Sequence, residues 1–321
     1  MHIVFDFSHE TPGGLVQYIN ESLLEFDDPS SDHVLMNGLA CARSKEIQER
    51  YKDRKRKSLL ALWSPCEFLE SPALPLTTIF DWYAYFDDVY CVCPFTVKYM
   101  NSLYDEDKFK YIPYPFTNYS CSPDWNKEYT SSWFGGVHGS DHMHGINEIT
   151  KHKYKFLTKQ QFNSPVVTHF DVSTEQKFIE INECKSSLSF NLLYPSSSLL
   201  EQNSHFVRDN KGAFSHAQDM IAPQFKVRTH EIASVGALIL CKKDPWNLIE
   251  DFYNEGAEYV SFSTFEELRE LLKDISANWD NYVSIAKAGY SKSQFYTIEK
   301  MINYIENNDE SLITWSLANV R

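Results

Sequence analysis

The sequence predicts an α/β protein built as two parallel-sheet halves, and three observations carry that expectation. Short apolar runs alternate with segments of helical spacing through the first third of the chain. Ile112-Pro113-Tyr114-Pro115-Phe116 then interrupts the alternation, because two prolines so close together forbid helix and favour an extended connection. A second cycle of the same plan follows. Within it, Pro223 to Cys241, PQFKVRTHEIASVGALILC, sets a basic pair and a carboxylate on one helix that leads into a buried strand.

In chain order, His2 to Phe7 reads as a first strand and Ser8 to Gly14 as a loop with two glycines. Leu15 to Phe26 follows as a helix with Leu15, Ile19, Leu23 and Phe26 on one face. His33 to Met36, Leu59 to Trp63, Val89 to Cys93 and Tyr111-Ile112 are short apolar runs, with helices expected at Arg43 to Arg56 and Thr96 to Tyr104. The charge run Lys52 to Lys57 reads as a solvated helix face or loop.

After the proline-rich linker and the polar segment Thr117 to Tyr129, Ser132 to Gly136 is strand-like and Val137 to Gly145 a loop rich in glycine and histidine. Ile146 to Lys151 reads as a short helix, Val166 to Phe170 as a strand, Ser173 to Cys184 as a helix capped by Ser173, and Ser187 to Leu193 as a strand. From Leu248 the pattern turns helical, at Glu266 to Ile275, Tyr282 to Phe295 and Ile298 to Glu306, with one more strand at Glu258 to Phe262.

A chain of 321 residues has room for two domains with separate cores. The formal charge of -14 leaves no general basic surface, which argues against nucleic acid as the main partner. The opening MHIVFDFSHE has too short an apolar run for a secretory signal, and nowhere do eighteen apolar residues run together. No transmembrane segment is expected, and a cytoplasmic location is. Seven cysteines without a CxxC pair are expected to be reduced thiols rather than a zinc site.

Lys226 and Arg228 offer cationic donors for phosphate oxygens. Glu231, one turn beyond, can accept both hydrogens of a vicinal diol such as a ribose presents. Gly236 ends the helix, and Ala237 to Cys241 reads as a core strand. His138, Asp141, His142 and His144 invite a metal reading. Their loop follows a glycine pair and opens a helix, so phosphate or sugar contact by His138 and Gly136 is the expectation, with no metal. Asp105-Glu106-Asp107 lies after a helix among charged residues and reads as surface.

These elements resemble the GT-B glycosyltransferases, especially the CgeB-like branch related to group 1. That branch has R-x-x-E-x-x-x-x-G-A before a strand, then an acidic aromatic stretch, then an E-E-L helix. Here the matching residues are Arg228, Glu231, Gly236-Ala237, Asp251-Phe252-Tyr253, Glu258-Tyr259 and Glu266-Glu267-Leu268, followed by Ala286 to Tyr290. Phe134-Gly135-Gly136, Glu183-Cys184-Lys185 and Ser189-Phe190-Asn191 resemble the strand and phosphate-loop positions of the same donor-binding domain. The resemblance covers roughly residues 130 to 305.

What it implies is a GT-B fold of two Rossmann-like domains facing across a cleft. The expected divisions are an acceptor domain over 1–128, a donor domain over 129–295, and a helical segment over 296–321 that can cross back to the first domain. The implied activity moves a sugar from a nucleotide-diphosphate-sugar donor to a hydroxyl of a glycan or glycoconjugate, with no cofactor and no obligatory metal. Glu231 would contact the ribose and Arg228 and Lys226 the diphosphate, with Lys185 on a phosphate from a neighbouring strand end and Asn191 beside the donor. Where relatives often carry a glutamate eight residues before Glu231, this chain has Pro223, so retention and inversion both stay open. A general base is expected on the first domain: His9 and Glu10 at the end of the first strand, or Glu67 after another. The alternative is a carbohydrate- or nucleotide-binding protein of this fold without catalysis, acting in polysaccharide assembly. Sugar transfer to modified DNA bases is a third reading that the acidic composition disfavours.

Overall fold

In the computed structural model of the chain the described residues are 3–6, 22–37, 44–61, 84–91, 97, 101, 107–112, 121–137, 139–159, 164–193, 222–223 and 225–307. The chain divides into two units. The first joins Met1–Phe116, Leu193–Phe225 and Ile298–Arg321, and the second joins Thr117–Leu192 and Lys226–Thr297. The first crossing therefore falls at Phe116, at the proline-rich break itself, rather than after residue 128. Residues 193–225, expected within the donor domain, belong to the first unit.

In the first unit, β1 (Val4–Asp6), β2 (His33–Asn37), β3 (Arg56–Ala61), β4 (Asp88–Cys91) and β5 (Phe109–Tyr111) form a parallel sheet in sequence order. Val34, Leu35, Leu59, Leu60, Val89 and Tyr90 are all buried. Successive residues point to opposite faces, so both faces of this sheet are covered. The helix expected over Arg43 to Arg56 is shorter, α1 (Lys45–Arg50), capped by Ser44, whose side chain accepts from the Ile47 N–H. The charge run does not stay solvated throughout. Arg56 opens β3 and donates to Asp88 Oδ2 at 2.7 Å and to the Glu306 carbonyl at 3.0 Å.

The second unit contributes β6 (Tyr129–Phe134), α2 (Ser140–Ile149), β7 (Tyr154–Thr158), β8 (His169–Phe170), α3 (Thr174–Asn182), β9 (Cys184–Ser189), the start of β10 (Leu192–Leu193) and α4 (Val227–Ser234). The short strand β11 (Ala222–Pro223) precedes α4 in the chain. Then come β12 (Leu238–Lys242), β13 (Val260–Phe262), α5 (Phe265–Ala277) and α6 (Val283–Ser293). The last helix, α7 (Ile298–Asn307), belongs to the first unit, where Tyr304 donates to the Tyr111 carbonyl at 3.4 Å and Tyr90 to the Ile305 carbonyl at 3.4 Å.

The six-stranded sheet of the second unit is ordered β13-β12-β9-β6-β7-β8, and every pairing is parallel. Renumbered within the unit this is the doubly wound order 3-2-1-4-5-6, with its reversal between β6 and β9. Trp133, Ile146, Phe156, Leu188, Phe190, Leu238, Leu240, Leu268 and Leu272 form its core.

Two expectations about local structure are corrected here. The histidine-rich stretch is not a loop to Gly145: the helix starts at Ser140 and runs through His142 and His144. Gly145 is tolerated inside it because a Cβ there would press to 3.0 Å on Leu188 and Phe190, so the helix packs closely on the sheet. The strand β7 was not expected, since Lys153 and Lys155 break its apolar pattern. Lys155 is nevertheless buried, with its charge met by Glu180 and Glu183.

Candidate functional site

In an open α/β sheet, ligands bind outside the carboxyl ends of the strands where the order reverses. Here that point is marked by Phe134 and Gly135-Gly136 after β6, and by Phe190 and Asn191 after β9. The loop can turn there because Gly135 has φ of +103°.

Asn191 is wholly buried, and its Oδ1 accepts from the Lys226 N–H at 2.9 Å and the Thr229 hydroxyl at 3.1 Å. Thr229 also shares a 2.7 Å hydrogen bond with Ser189. These bonds anchor the start of α4 beside the end of β9. Asn191 thus holds the helix end by satisfying one of its orphan N–H groups.

Anchored in this way, α4 delivers Arg228 to the loop after β6. The guanidinium carbon lies 3.9 Å from the centroid of Trp133 and 5.2 Å from that of Phe134. Its Nε is enclosed without a hydrogen-bond partner. Burial holds its pKa down, to about 10, while Glu231 acts in the other direction, so the group keeps its charge at neutral pH. A Cβ on Gly135 would fall 2.4 Å from an Arg228 nitrogen.

Glu231, 3% exposed, meets Lys177 of α3, whose Nζ lies 2.6 Å from Glu231 Oε1. Lys177 Nζ is 5.6 Å from the same Phe134 ring that Arg228 approaches. Two cations and one carboxylate therefore gather around the end of β6, leaving one formal positive charge in excess. Lys177 was not singled out in the sequence. It lies in the first turns of α3, and no pattern there distinguishes it from a surface lysine.

Lys185 is not part of this group. It lies at the amino end of β9, where Cys184 pairs with Tyr129, and its Nζ donates to the Ser276 carbonyl at 2.9 Å at the end of α5. Its charge complements a helix C-terminus rather than a phosphate. The histidine cluster also disperses: Asp141 pairs with Lys242 at 2.9 Å, His142 packs 4.8 Å from Trp133 and 5.1 Å from Phe190, and His144 packs 5.2 Å from Phe265. Among the described residues no group of three or more metal-ligating side chains converges. His9, Glu10, Glu67 and His138 lie outside the described residues.

Three comparisons bear on this arrangement. Residues 199–307 match the family described as "Glycosyl transferase-like". Anabaena HepE, solved with UDP and glucose, superposes with a TM-score of 0.57 at 12% identity, over 97% of this chain and 100% of its own. Sucrose-phosphate synthase from Thermosynechococcus elongatus gives 0.55 at 10% identity, over 93% of this chain and 78% of its own. The chain has the GT-B fold. TarM from S. aureus gives 0.55 at 8% identity over 86% of this chain, which spans only 55% of TarM. No curated protein matches by sequence.

The matched stretch 199–307 takes in the anchored helix α4 with Arg228 and Glu231, whereas Gly135, Trp133 and Lys177 lie upstream of it. Among the described residues of this GT-B chain no helix is long and apolar enough to cross a membrane. Cys91, Cys121, Cys184 and Cys241 are free thiols.

Proposed function

We propose that the chain moves a sugar from a nucleotide-diphosphate sugar to an acceptor hydroxyl on a glycan or glycoconjugate. One observation carries the reading: at the topological switch point of the second unit the half-buried Arg228 has its Nε enclosed with no acceptor among the described residues. An enclosed N–H without an acceptor is costly, and a diphosphate oxygen supplies what it lacks. The chemistry of neighbours of the same fold supports this choice, since HepE is solved with UDP and with UDP-glucose.

In the proposed reaction the acceptor oxygen bonds to the anomeric carbon as the bond from that carbon to the diphosphate oxygen breaks. The acceptor proton passes to a base, and the electron pair of the broken bond leaves with the nucleoside diphosphate. Arg228 and Lys226 meet the charge that grows there, so no metal step is invoked. Glu231 takes the ribose hydroxyls. His9, Glu10 and Glu67 are the proposed bases, in a reducing, cytoplasm-like compartment that suits the free thiols.

Thermal-shift titration with a panel of nucleoside diphosphates tests the reading, together with release of nucleoside diphosphate from each sugar donor. One of the diphosphates should raise the melting temperature, and Arg228→Ala should abolish the rise. If no member of the panel stabilises the protein, the proposal fails. Pro223, standing where a sugar-contacting glutamate is usual, favours the non-catalytic reading to the extent that binding occurs without donor turnover.

A further inference from the structure

Glu231 is almost wholly buried, and among the described residues only one of its oxygens is bonded. Oε1 accepts from Lys177 at 2.6 Å, and no described residue donates to Oε2. Oε2 is not enclosed, so it stays open to a further donor. Two further contacts define the lysine that holds it. Lys177 Nζ lies 4.7 Å from the centroid of Phe178 and 5.6 Å from that of Phe134, so the ammonium sits against two aromatic rings with the carboxylate as its ionic partner. The lysine comes from α3 and the glutamate from α4, and their pairing fixes the glutamate side chain in one orientation.

We infer that Lys177 is a positioning residue: by occupying Oε1 it presents Glu231 Oε2 as the acceptor that distinguishes a ribonucleotide from a 2′-deoxyribonucleotide. This rests on the nucleotide-sugar reading above and goes beyond it, since it assigns sugar-moiety selectivity in the nucleotide to a residue that would not touch the ligand. Without the lysine the carboxylate loses its fixed orientation, and its interaction with the diol weakens while Arg228 still holds the diphosphate. Selectivity and overall affinity then separate, and that separation is the signature of the role.

The test is isothermal titration of the nucleoside diphosphate that binds best, and of its 2′-deoxy counterpart, to the wild-type chain and to Lys177→Met, Lys177→Arg and Arg228→Ala. The wild type should prefer the ribonucleotide by about tenfold or more, the range of a hydrogen bond to a charged group. Lys177→Met should bring the ratio close to one, Lys177→Arg should keep most of it, and Arg228→Ala should weaken both ligands together. The readout is a ratio, so a reduced folded fraction cancels. If Lys177→Met does not fold, Lys177→Gln gives the same reading, since its shorter amide does not span to Glu231. A wild-type ratio retained in Lys177→Met, or a wild-type ratio near one, overturns the positioning role and leaves nucleotide binding intact. Absence of binding by any nucleoside diphosphate overturns both.

Discussion

The Arg228 guanidinium stacks on the Trp133 ring at 3.9 Å, and the contact requires that Gly135 carry no side chain. Gly135→Ala places a Cβ 2.4 Å from an Arg228 nitrogen at a backbone φ of +103°. The substitution should lower stability by about 1–2 kcal/mol through strain. It should also weaken nucleoside diphosphate binding about tenfold by displacing the guanidinium. Calorimetric titration and thermal melts check both parts. An affinity equal to the wild type's would show that Arg228 does not meet the ligand.

Asp244, 5% exposed, accepts from the Trp246 N–H at 2.9 Å through Oδ1, while its Oδ2 is buried without a partner. Burial is the first cause of its raised pKa, about 6 against an ordinary 3.8. A carboxyl whose pKa is raised on folding binds its proton more tightly in the native state, so it erodes stability as pH climbs from about 4 past 6. Asp244→Asn removes that erosion and keeps the Oδ1 acceptor. The variant should be more stable than the wild type near pH 8, by on the order of 2 kcal/mol, with the gain fading toward pH 4. Melting curves across that range decide the matter, and a gain that does not depend on pH would contradict the account.

Glu148 has the opposite sign. Arg269 grips it at 3.0 Å on each oxygen and Lys151 adds a bond at 2.7 Å, tying α2 to α5. The Arg269 contact is the leading cause of a pKa depressed from 4.5 to about 2. Stability from this cluster is present above the ordinary carboxylate pKa and is lost as pH falls from about 4.5 toward 2. Glu148→Gln should therefore be less stable than the wild type at neutral pH, and the two should converge on acidification. Parallel melting curves at every pH would rule this out.

Gly289 lies inside α6, where alanine would ordinarily favour the helix by about 1 kcal/mol. A Cβ there would lie 2.6 Å from the Glu258 backbone carbonyl oxygen, which cannot rotate away. Overpacking should win, and Gly289→Ala should destabilise by about 1–3 kcal/mol net of propensity. Chemical denaturation measures it, and a stabilised variant would show that the loop at Glu258 yields.

Much of the fold was legible because its signals are local. Ser173 caps α3 through the Gln176 N–H, Gly236 turns at φ of +70° where α4 ends, and the apolar run at Ala237 to Cys241 becomes β12. The site was legible only in part. Arg228 and Glu231 are brought to the switch point, whereas Lys185, three residues before Leu188 in the same strand, lands at its opposite end and pairs with a helix terminus. Which end of a strand a residue occupies depends on where pairing begins, and one sequence does not carry that information.

Periodicity, caps and turn residues were enough to decide that this chain is α/β with parallel sheets, because each acts within a few residues of backbone. Partner choice among charged side chains belongs to the tertiary structure alone. Lys155 can enter the core only where Glu180 and Glu183 neutralise it, and so β7 exists. Lys177, Arg228 and Glu231 come from two helices, and only the packing of α3 and α4 on the end of β6 sets them around Phe134. Electrostatic partnership at that range is decided by folding, since it depends on distances that the linear order of residues does not contain.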